Sequence, residues 1–129
     1  GHDSKSVSTF RVDMYYAIKT TNGYEGYFIS QVDYNLSSLD ADYSMVKQYV
    51  RIENLGVDLD IVAEGKAGGL IYNQITSGST TTNRKQSLYG SPSWVYVVPW
   101  DGMNLGCHYE LTLKDERGVQ WTTPMNLTI

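Results

Sequence analysis

The stretch that decides the fold is YSMVKQYVRIENLGVDLDIVAEG, which runs over Tyr43–Gly65. Its first half is rich in β-branched and aromatic residues, which fill pleated surfaces. Asn54-Leu55-Gly56 follows, and because Asn and Gly tolerate positive φ, we predict a chain reversal there. The next segment, Val57–Ala63, alternates apolar residues with Asp58 and Asp60, as a half-buried strand does. The stretch therefore predicts strand, turn and strand, with both aspartates on a solvated face rather than in a site.

Outward from this stretch, short apolar segments recur at the spacing of a β-sandwich. We predict one antiparallel sandwich over residues 9–129, immunoglobulin-like or fibronectin-III-like, with eight or nine strands. The polar segment Thr76–Gln86 should be an exposed loop or a short edge hairpin. Asp115–Gly118 should form a turn that joins a C-terminal hairpin. The other predicted strands are Tyr27–Tyr34, Leu70–Ile75 after Ala67-Gly68-Gly69, Trp94–Val98 as a covered central strand, Tyr109–Leu113, Val119–Thr123 up to Pro124, and Asn126–Ile129.

The segment Phe10–Ile18 fits two patterns. Its apolar residues alternate as in a strand, and a subset also forms a helical stripe behind Ser8 or Thr9 as a cap. The pattern alone favours a strand. Residues 1–8 are interpreted as a flexible lead-in that begins with a cloning remnant, Gly1-His2.

Composition excludes several classes of function. The net charge of −4 comes without a concentrated basic surface, so nucleic acid is not an expected partner. No apolar run approaches the roughly 20 residues of a membrane span. The single cysteine, Cys107, excludes an intrachain disulfide and is predicted to be buried. Because neighbouring residues of a strand point to opposite faces, His108 should not meet it.

The chain contains few residues and motifs with catalytic chemistry. We therefore expect neither an enzyme, nor a cofactor, nor a metal site. His108 has no second histidine beside it apart from the one in the lead-in, and no phosphate or nucleophile motif occurs. Asp40 and Asp42 do not meet the spacing of a calcium loop. A glycosidase that uses paired carboxylates is the enzymatic alternative, and it would require two carboxyl groups about 5–10 Å apart in a cleft.

A cluster of aromatic and short polar residues suggests a sugar site. Trp100 follows Pro99 in a predicted loop with Asp101 and Asn104, while Trp94 and Tyr96 should lie in the core. Flat aromatic faces stack on sugar rings, and Asp and Asn side chains bind hydroxyls. Tyr72 and Tyr89 are candidates for the border of the same site. Two glycosylation sequons also occur, at Asn35 and Asn126.

Several short motifs follow one another along the chain. They are Thr9-Phe10-Arg11-Val12, Phe28-Ile29 with Val32 and Tyr34, Tyr49-Val50-Arg51-Ile52, Asn54-Leu55-Gly56-Val57, Tyr72-Asn73 and Val95-Tyr96-Val97-Val98. In this order they resemble the fungal immunomodulatory protein family. That resemblance implies an immunoglobulin-like or fibronectin-III-like sandwich preceded by a helix, which pairs with a swapped strand to form a homodimer. Phe10–Ile18 would then be the dimerisation helix.

The resemblance implies a secreted, lectin-like protein that binds cell-surface glycans or a glycoprotein receptor. The expected dimer interface is Phe10, Val12, Met14 and Ile18, so a charged residue at Met14 or Ile18 should yield a monomer. This chain departs from the family by its C-terminal hairpin Arg117–Ile129, its first loop, its cysteine and its histidines, so no sugar-binding residue is carried over. The alternative function is an immunoglobulin-like structural or adhesion module of a larger surface protein.

Overall fold

Antiparallel strands make up most of the structure, a computed structural model that describes residues 8–66 and 71–129. The expected all-β class is confirmed. Residues 1–7 of the lead-in, Ala67-Gly68-Gly69 and the first residue of the predicted strand Leu70–Ile75 lie outside the described residues. In chain order the described elements are β1 (Ser8–Thr21), β2 (Tyr24–Leu39), β3 (Tyr43–Asp58), α1 (Leu59–Ala63), β4 (Ile71–Thr80), β5 (Gln86–Tyr89), β6 (Val97–Val98), β7 (Leu105–Asp115) and β8 (Gln120–Thr128).

The described strands join one curled sheet in the order β1-β2-β6-β3-β7-β8, with β4 on β3 and β5 on β2. The short strand β6 joins the two halves, because Val97 pairs with Tyr27 of β2 and Val98 pairs with Val57 of β3. The sheet curls into a half-barrel. As a result, β1 and β2 face β3 and β7 across the core, as the two layers of a sandwich do.

The core is built mainly from the inward-facing residues of β2, β3 and β7. Ile29 and Val32 of β2, Val50 and Ile52 of β3, and Tyr109 of β7 are fully buried. Phe10 reaches across from β1, with its ring centre 4.9 Å from that of Tyr109. Alternation along these strands leaves the opposite set of side chains on the outer faces, where the candidate sites lie.

The predicted turn at Asn54-Leu55-Gly56 is wrong. The three residues continue β3 and pair in register with Gln74, Asn73 and Tyr72 of β4. Asn54 is fully buried and serves as a hydrogen-bond anchor. A Cβ on Gly56 would lie 3.0 Å from Val97 Cβ, so glycine allows β6 to approach closely.

The predicted strand over Val57–Ala63 ends at Asp58, where the chain enters α1. Leu59 is 1% exposed and packs over Gly26, which lacks the Cβ that would clash with it. Asp58 is the N-cap of α1, and its Oδ1 accepts a hydrogen bond from the amide of Asp60 at 2.9 Å. The two aspartates therefore have different surroundings rather than sharing a solvated strand face.

Phe10–Ile18 is a strand within β1, so the helix that the resemblance implies is wrong. Each residue of β1 has a cross-strand partner on β2, and the two-residue turn Asn22-Gly23, with φ values of 50° and 84°, joins the strands. This pairing satisfies the backbone in a way that competes with a helix. Phe10, Val12 and Met14 pack against the core, whereas Ile18 is 54% exposed.

Two further segments differ from the predictions, and the C-terminal hairpin agrees with them in part. β4 extends through Thr80, so only part of Thr76–Gln86 is a loop. Only Val97–Val98 of the predicted central strand is a strand, because the preceding residues cross over the sheet. The Asp115–Gly118 turn joins β7 to β8 as expected, but the predicted end of the strand at Pro124 is wrong. β8 continues through Pro124 to Thr128, because Pro124 lies at the sheet edge where its missing N–H is tolerated.

Candidate ligand-binding site

An open cleft of about 440 Å³ lies on the outer face of the sheet, beside β5. Phe28 points into it because its neighbour Ile29 is buried on the opposite face of β2. The aromatic rings come from β2, from the end of β5 and from the crossing segment 90–96. We call this the aromatic cleft, and it is lined by Phe28, Ser30, Tyr89, Gly90, Pro92, Trp94 and Tyr96.

The aromatic rings of the cleft pack against one another in edge-to-face and tilted arrangements. The centre of the Phe28 ring is 6.4 Å from that of Trp94, at an angle of 62°, and 5.6 Å from that of Tyr96. Tyr89 is 63% exposed. Lys19 Nζ lies 5.8 Å from the centre of the Tyr96 ring, which places a cation near the aromatic surface. The cleft therefore combines flat apolar faces with hydroxyl groups, and the Lys19 ammonium group lies beside Tyr96 in a neighbouring pocket.

A bulge and a glycine bring the crossing segment onto the sheet. The register of β1 and β2 shifts between Tyr15 and Tyr16, so Ser30 is an extra residue of β2. The amide of Gly90 donates to the Ser30 carbonyl at 3.0 Å. Trp94 packs directly on Gly90, where a Cβ would lie 3.0 Å from the Trp94 ring. The cleft thus depends on an absent side chain at residue 90.

Buried amide side chains hold the backbone of the crossing segment from below. The Gln74 Oε1 atom accepts a hydrogen bond from the Val95 amide at 2.7 Å. Asn54 donates from Nδ2 to the Val95 carbonyl, and its Oδ1 accepts from the Ile29 amide at 3.0 Å. The Tyr96 carbonyl accepts from the amide of Leu59, the first residue of α1, at 3.1 Å. Trp94 and Tyr96 are therefore carried on a backbone that is fixed on both sides of Val95.

The structure divides the predicted sugar site into separate places. Trp100 is 56% exposed and lines, with Pro99 and Asp101, a hollow of about 240 Å³ that is distinct from the aromatic cleft. Asn104 lies four residues further along that loop, next to β7. Tyr89 lines the aromatic cleft. Tyr72 packs against the core.

The sequence analysis placed Trp94 and Tyr96 in the core and did not select Phe28. In the structure both Trp94 and Tyr96 are half-buried and form walls of the cleft. The signal for Phe28 was available, since it is an aromatic residue next to Ile29 in an alternating strand and so must point outward if Ile29 points inward. Nothing local indicated that residues 90–96 would cross to the same face.

A polar region continues the same outer face beyond the aromatic cleft. Asp13 and Asp33 are cross-strand partners, and Ser87 of β5 pairs with Asp33. The Ser87 hydroxyl, at 2.5 Å, and the Gln31 amide hold the pKa of Asp33 below its usual value. A glycosidase acid requires a raised pKa, so Asp33 does not have the electrostatics of the proton-donating member of such a pair.

The outer face of β3, β7 and β8 carries another cluster of titratable side chains. His108 Nδ1 lies 2.7 Å from the Oδ1 of Asn126, the sequon asparagine, and its Nε2 lies 3.2 Å from Glu110. Among residues 8–66 and 71–129, no group of three His, Cys, Asp or Glu side chains could hold a metal ion. Cys107 is 1% exposed on the opposite face, and burial raises its pKa to about 11.

Comparison with known proteins gives no relatives. No protein-family model, no curated protein and no solved structure matches the chain. The resemblance to fungal immunomodulatory proteins therefore stays a prediction. No helix in the described part of the chain is long and apolar enough to cross a membrane.

Proposed function

We propose that this protein is a non-enzymatic, lectin-like binding module of the secreted type, and that a glycan binds in the aromatic cleft. The observation that carries the proposal is the aromatic surface that half-buried Phe28, Trp94 and Tyr96 form with exposed Tyr89. The backbone that carries Trp94 and Tyr96 is held by buried amide side chains. The immunomodulatory role, through cell-surface glycans or a glycoprotein receptor, rests on the sequence resemblance.

A sugar ring fits the chemistry of this cleft better than a purely apolar ligand. One face of a pyranose consists of C–H groups that pack on aromatic rings, and its hydroxyls need hydrogen-bond partners at the rim. Ser30 lies within the cleft, and Lys19 lies beside Tyr96. The region of Asp13 and Asn35, which lines a second cleft of about 440 Å³ on the same outer face, offers further acceptors and donors.

The test is a glycan array on the folded wild-type protein, followed by calorimetric titration of the glycans that bind. Tyr89→Ala should lower affinity by about tenfold, the loss expected for one stacked ring. Trp100→Ala is the matched control, because Trp100 is similarly exposed but lies in the other hollow. The affinity of the Trp100→Ala variant for the glycan should stay within a factor of two of the wild-type value.

Two outcomes would contradict the proposal. A loss of affinity in Trp100→Ala with none in Tyr89→Ala would show that the glycan binds at the Trp100 loop and not in the aromatic cleft. Absence of binding to every glycan would favour the structural or adhesion module. Trp94→Phe gives a second readout, since it should remove any ligand-induced change in tryptophan fluorescence that arises within the cleft.

A further inference from the structure

One backbone edge of β1, over residues 11–21, has no partner strand in the part of the chain that the structure describes. Among the described strands β1 pairs only with β2, and it forms one end of the sheet. A free edge presents unpaired N–H and C=O groups that can accept another strand. Large apolar side chains lie along the same part of the strand, since Tyr15, Tyr16 and Ile18 are 48%, 46% and 54% exposed.

Two of the three charges on this edge, those of Asp13 and Lys19, are arranged in a self-complementary way, and the third, Arg11, binds Asp13 within the strand, Nε to Oδ2 at 2.9 Å. Charged residues usually protect a sheet edge against pairing. Here Asp13 and Lys19 lie three residues to either side of Tyr16, with opposite signs. Two copies of the strand, antiparallel and centred on Tyr16, would therefore oppose Asp13 to Lys19 twice.

We propose that a second copy of this chain pairs with the β1 edge, antiparallel, about a two-fold axis through Tyr16. The two curled sheets then become one continuous sheet across the interface. The occupant is a second copy because the charge pattern of the edge complements itself. The opposed residues are Arg11 with Thr21, Val12 with Thr20, Asp13 with Lys19, Met14 with Ile18, Tyr15 with Ala17, and Tyr16 with Tyr16.

The register follows from the charges and from the length of β1 that is paired. In an antiparallel pair of identical strands whose equivalent faces lie on the same side, the axis must pass through a residue and not between two residues. If the two-fold axis passed through Tyr15, Arg11 would lie opposite Lys19, and like charges directly opposite are destabilising. Centring on Asp13 would oppose that carboxylate to itself. Centring on Met14 or Ala17 would leave the charges without opposite partners. Centring on Val12 would oppose Arg11 to Asp13 twice, but of the described strand it would pair only residues 8–16 and would leave the exposed Ile18 outside the interface.

This arrangement places both aromatic clefts on the same side of the continuous sheet. The two-fold axis is perpendicular to the sheet, so equivalent faces of the two copies coincide. Phe28 lies on the face of β2 that is shared with its partner Ala17. The dimer would present two clefts in one direction, which increases avidity for a surface. The pairing itself does not depend on what the clefts bind.

A cysteine on the axis tests the register directly. Directly opposed residues have Cα atoms about 4.5–5.5 Å apart, within the reach of a disulfide. Tyr16→Cys should therefore form a disulfide-linked dimer on oxidation with dioxygen and a copper catalyst. Ile18→Cys is the matched control, exposed on the same face, because its symmetry mate would be four residues away, at about 13 Å. Buried Cys107 should not react in either variant.

Charge reversal tests the same register by a reversible measurement. Asp13→Lys and Lys19→Glu should each weaken the dimer by about tenfold or more in sedimentation equilibrium, since each converts two attractive pairs into two repulsive ones. The double variant should restore the wild-type dissociation constant to within about threefold, with circular dichroism confirming the fold of all three. A monomeric wild type, equal cross-linking of both cysteine variants, or a double variant as weak as the single ones would overturn the proposal.

Discussion

Asn54 and Gln74 donate hydrogen bonds to the same backbone oxygen, the carbonyl of Val95, at 3.2 Å and 3.1 Å. Gln74 Nε2 also lies 3.1 Å from the Asn54 carbonyl, so the two side chains and the crossing segment form one buried network. Asn54 is fully buried and Gln74 is 8% exposed. This network connects the core of β3 to the segment that carries Trp94 and Tyr96.

Gln74→Met should therefore destabilise the protein by about 2–4 kcal/mol. The variant keeps a similar length but leaves the Val95 amide without its acceptor, and a buried unsatisfied group costs about 1–3 kcal/mol. It also removes the bonds from Gln74 Nε2 to the Val95 and Asn54 carbonyls, each worth about 0.5–1.5 kcal/mol, although the Val95 carbonyl keeps its bond from Asn54. Urea unfolding gives the free energy. Asn73→Ala, at an exposed neighbouring position of β4, is the control and should change stability by less than about 0.5 kcal/mol. Equal effects of the two variants would contradict the role of the network.

The two aspartates beside α1 should differ in their effect on stability. Asp58→Ala removes the side chain that accepts from the Asp60 amide and should cost about 1 kcal/mol, as the loss of an N-cap does. Asp60→Ala removes an exposed side chain of the first turn and should cost only a few tenths of a kcal/mol. Urea unfolding of both variants under one condition makes the comparison. An equal loss of stability in the two variants would contradict the capping role of Asp58. It would agree with the sequence prediction that both side chains lie on a solvated face.

The strand class was predictable because period-2 alternation reports which face is buried, and this holds for β2, β3 and β7. The turn at Asn54-Leu55-Gly56 was wrong because the local chemistry of these residues is the same in a turn and in a strand. Only the tertiary structure makes Asn54 a hydrogen-bond anchor and Gly56 a place of close approach. The Asn22-Gly23 turn was the clearer local signal, since this dipeptide is typical of two-residue hairpins.

The aromatic cleft could be predicted only in part. Phe28 and Trp94 are far apart in the sequence and meet because the crossing segment folds over the bulge at Ser30. That approach depends on long-range pairing and on Gly90, neither of which a local pattern reveals. The C-terminal hairpin, by contrast, consists of two strands with alternating apolar and polar residues around a short turn. A local sequence pattern is therefore enough to predict it.

Gly90→Ala should disturb the cleft. A Cβ there would meet the carbonyl oxygen of Ile29, which cannot move without breaking the sheet, and the ring of Trp94. We expect a loss of about 1–3 kcal/mol, as for other overpacked sites, and a changed near-ultraviolet circular dichroism from Trp94. Gly78→Ala is the matched control, because its Cβ would make an ordinary contact of 3.5 Å with Leu88. A Gly90→Ala protein as stable as the Gly78→Ala protein would show that the crossing segment adapts.

Ser87→Ala should change how stability depends on pH. The Ser87 hydroxyl is the largest cause of the lowered pKa of Asp33, ahead of Gln31 and Lys85. Because the folded-state pKa lies below the unfolded value of about 3.9, the ionised carboxylate stabilises the fold above that pH. This contribution is lost as the pH falls through the folded-state pKa. The variant should thus be less stable than wild type at neutral pH, and the difference should shrink toward about pH 2.

Urea unfolding at several pH values measures that difference. Ser79→Ala, an exposed serine of β4, is the control, and its effect on the free energy of unfolding should not vary with pH. A chemical-shift titration of the Asp33 carboxyl carbon gives an independent readout, in which Ser87→Ala should raise the pKa of Asp33. A constant difference between Ser87→Ala and wild type from neutral to acid pH would mean that the hydroxyl stabilises β5 without acting through the charge of Asp33.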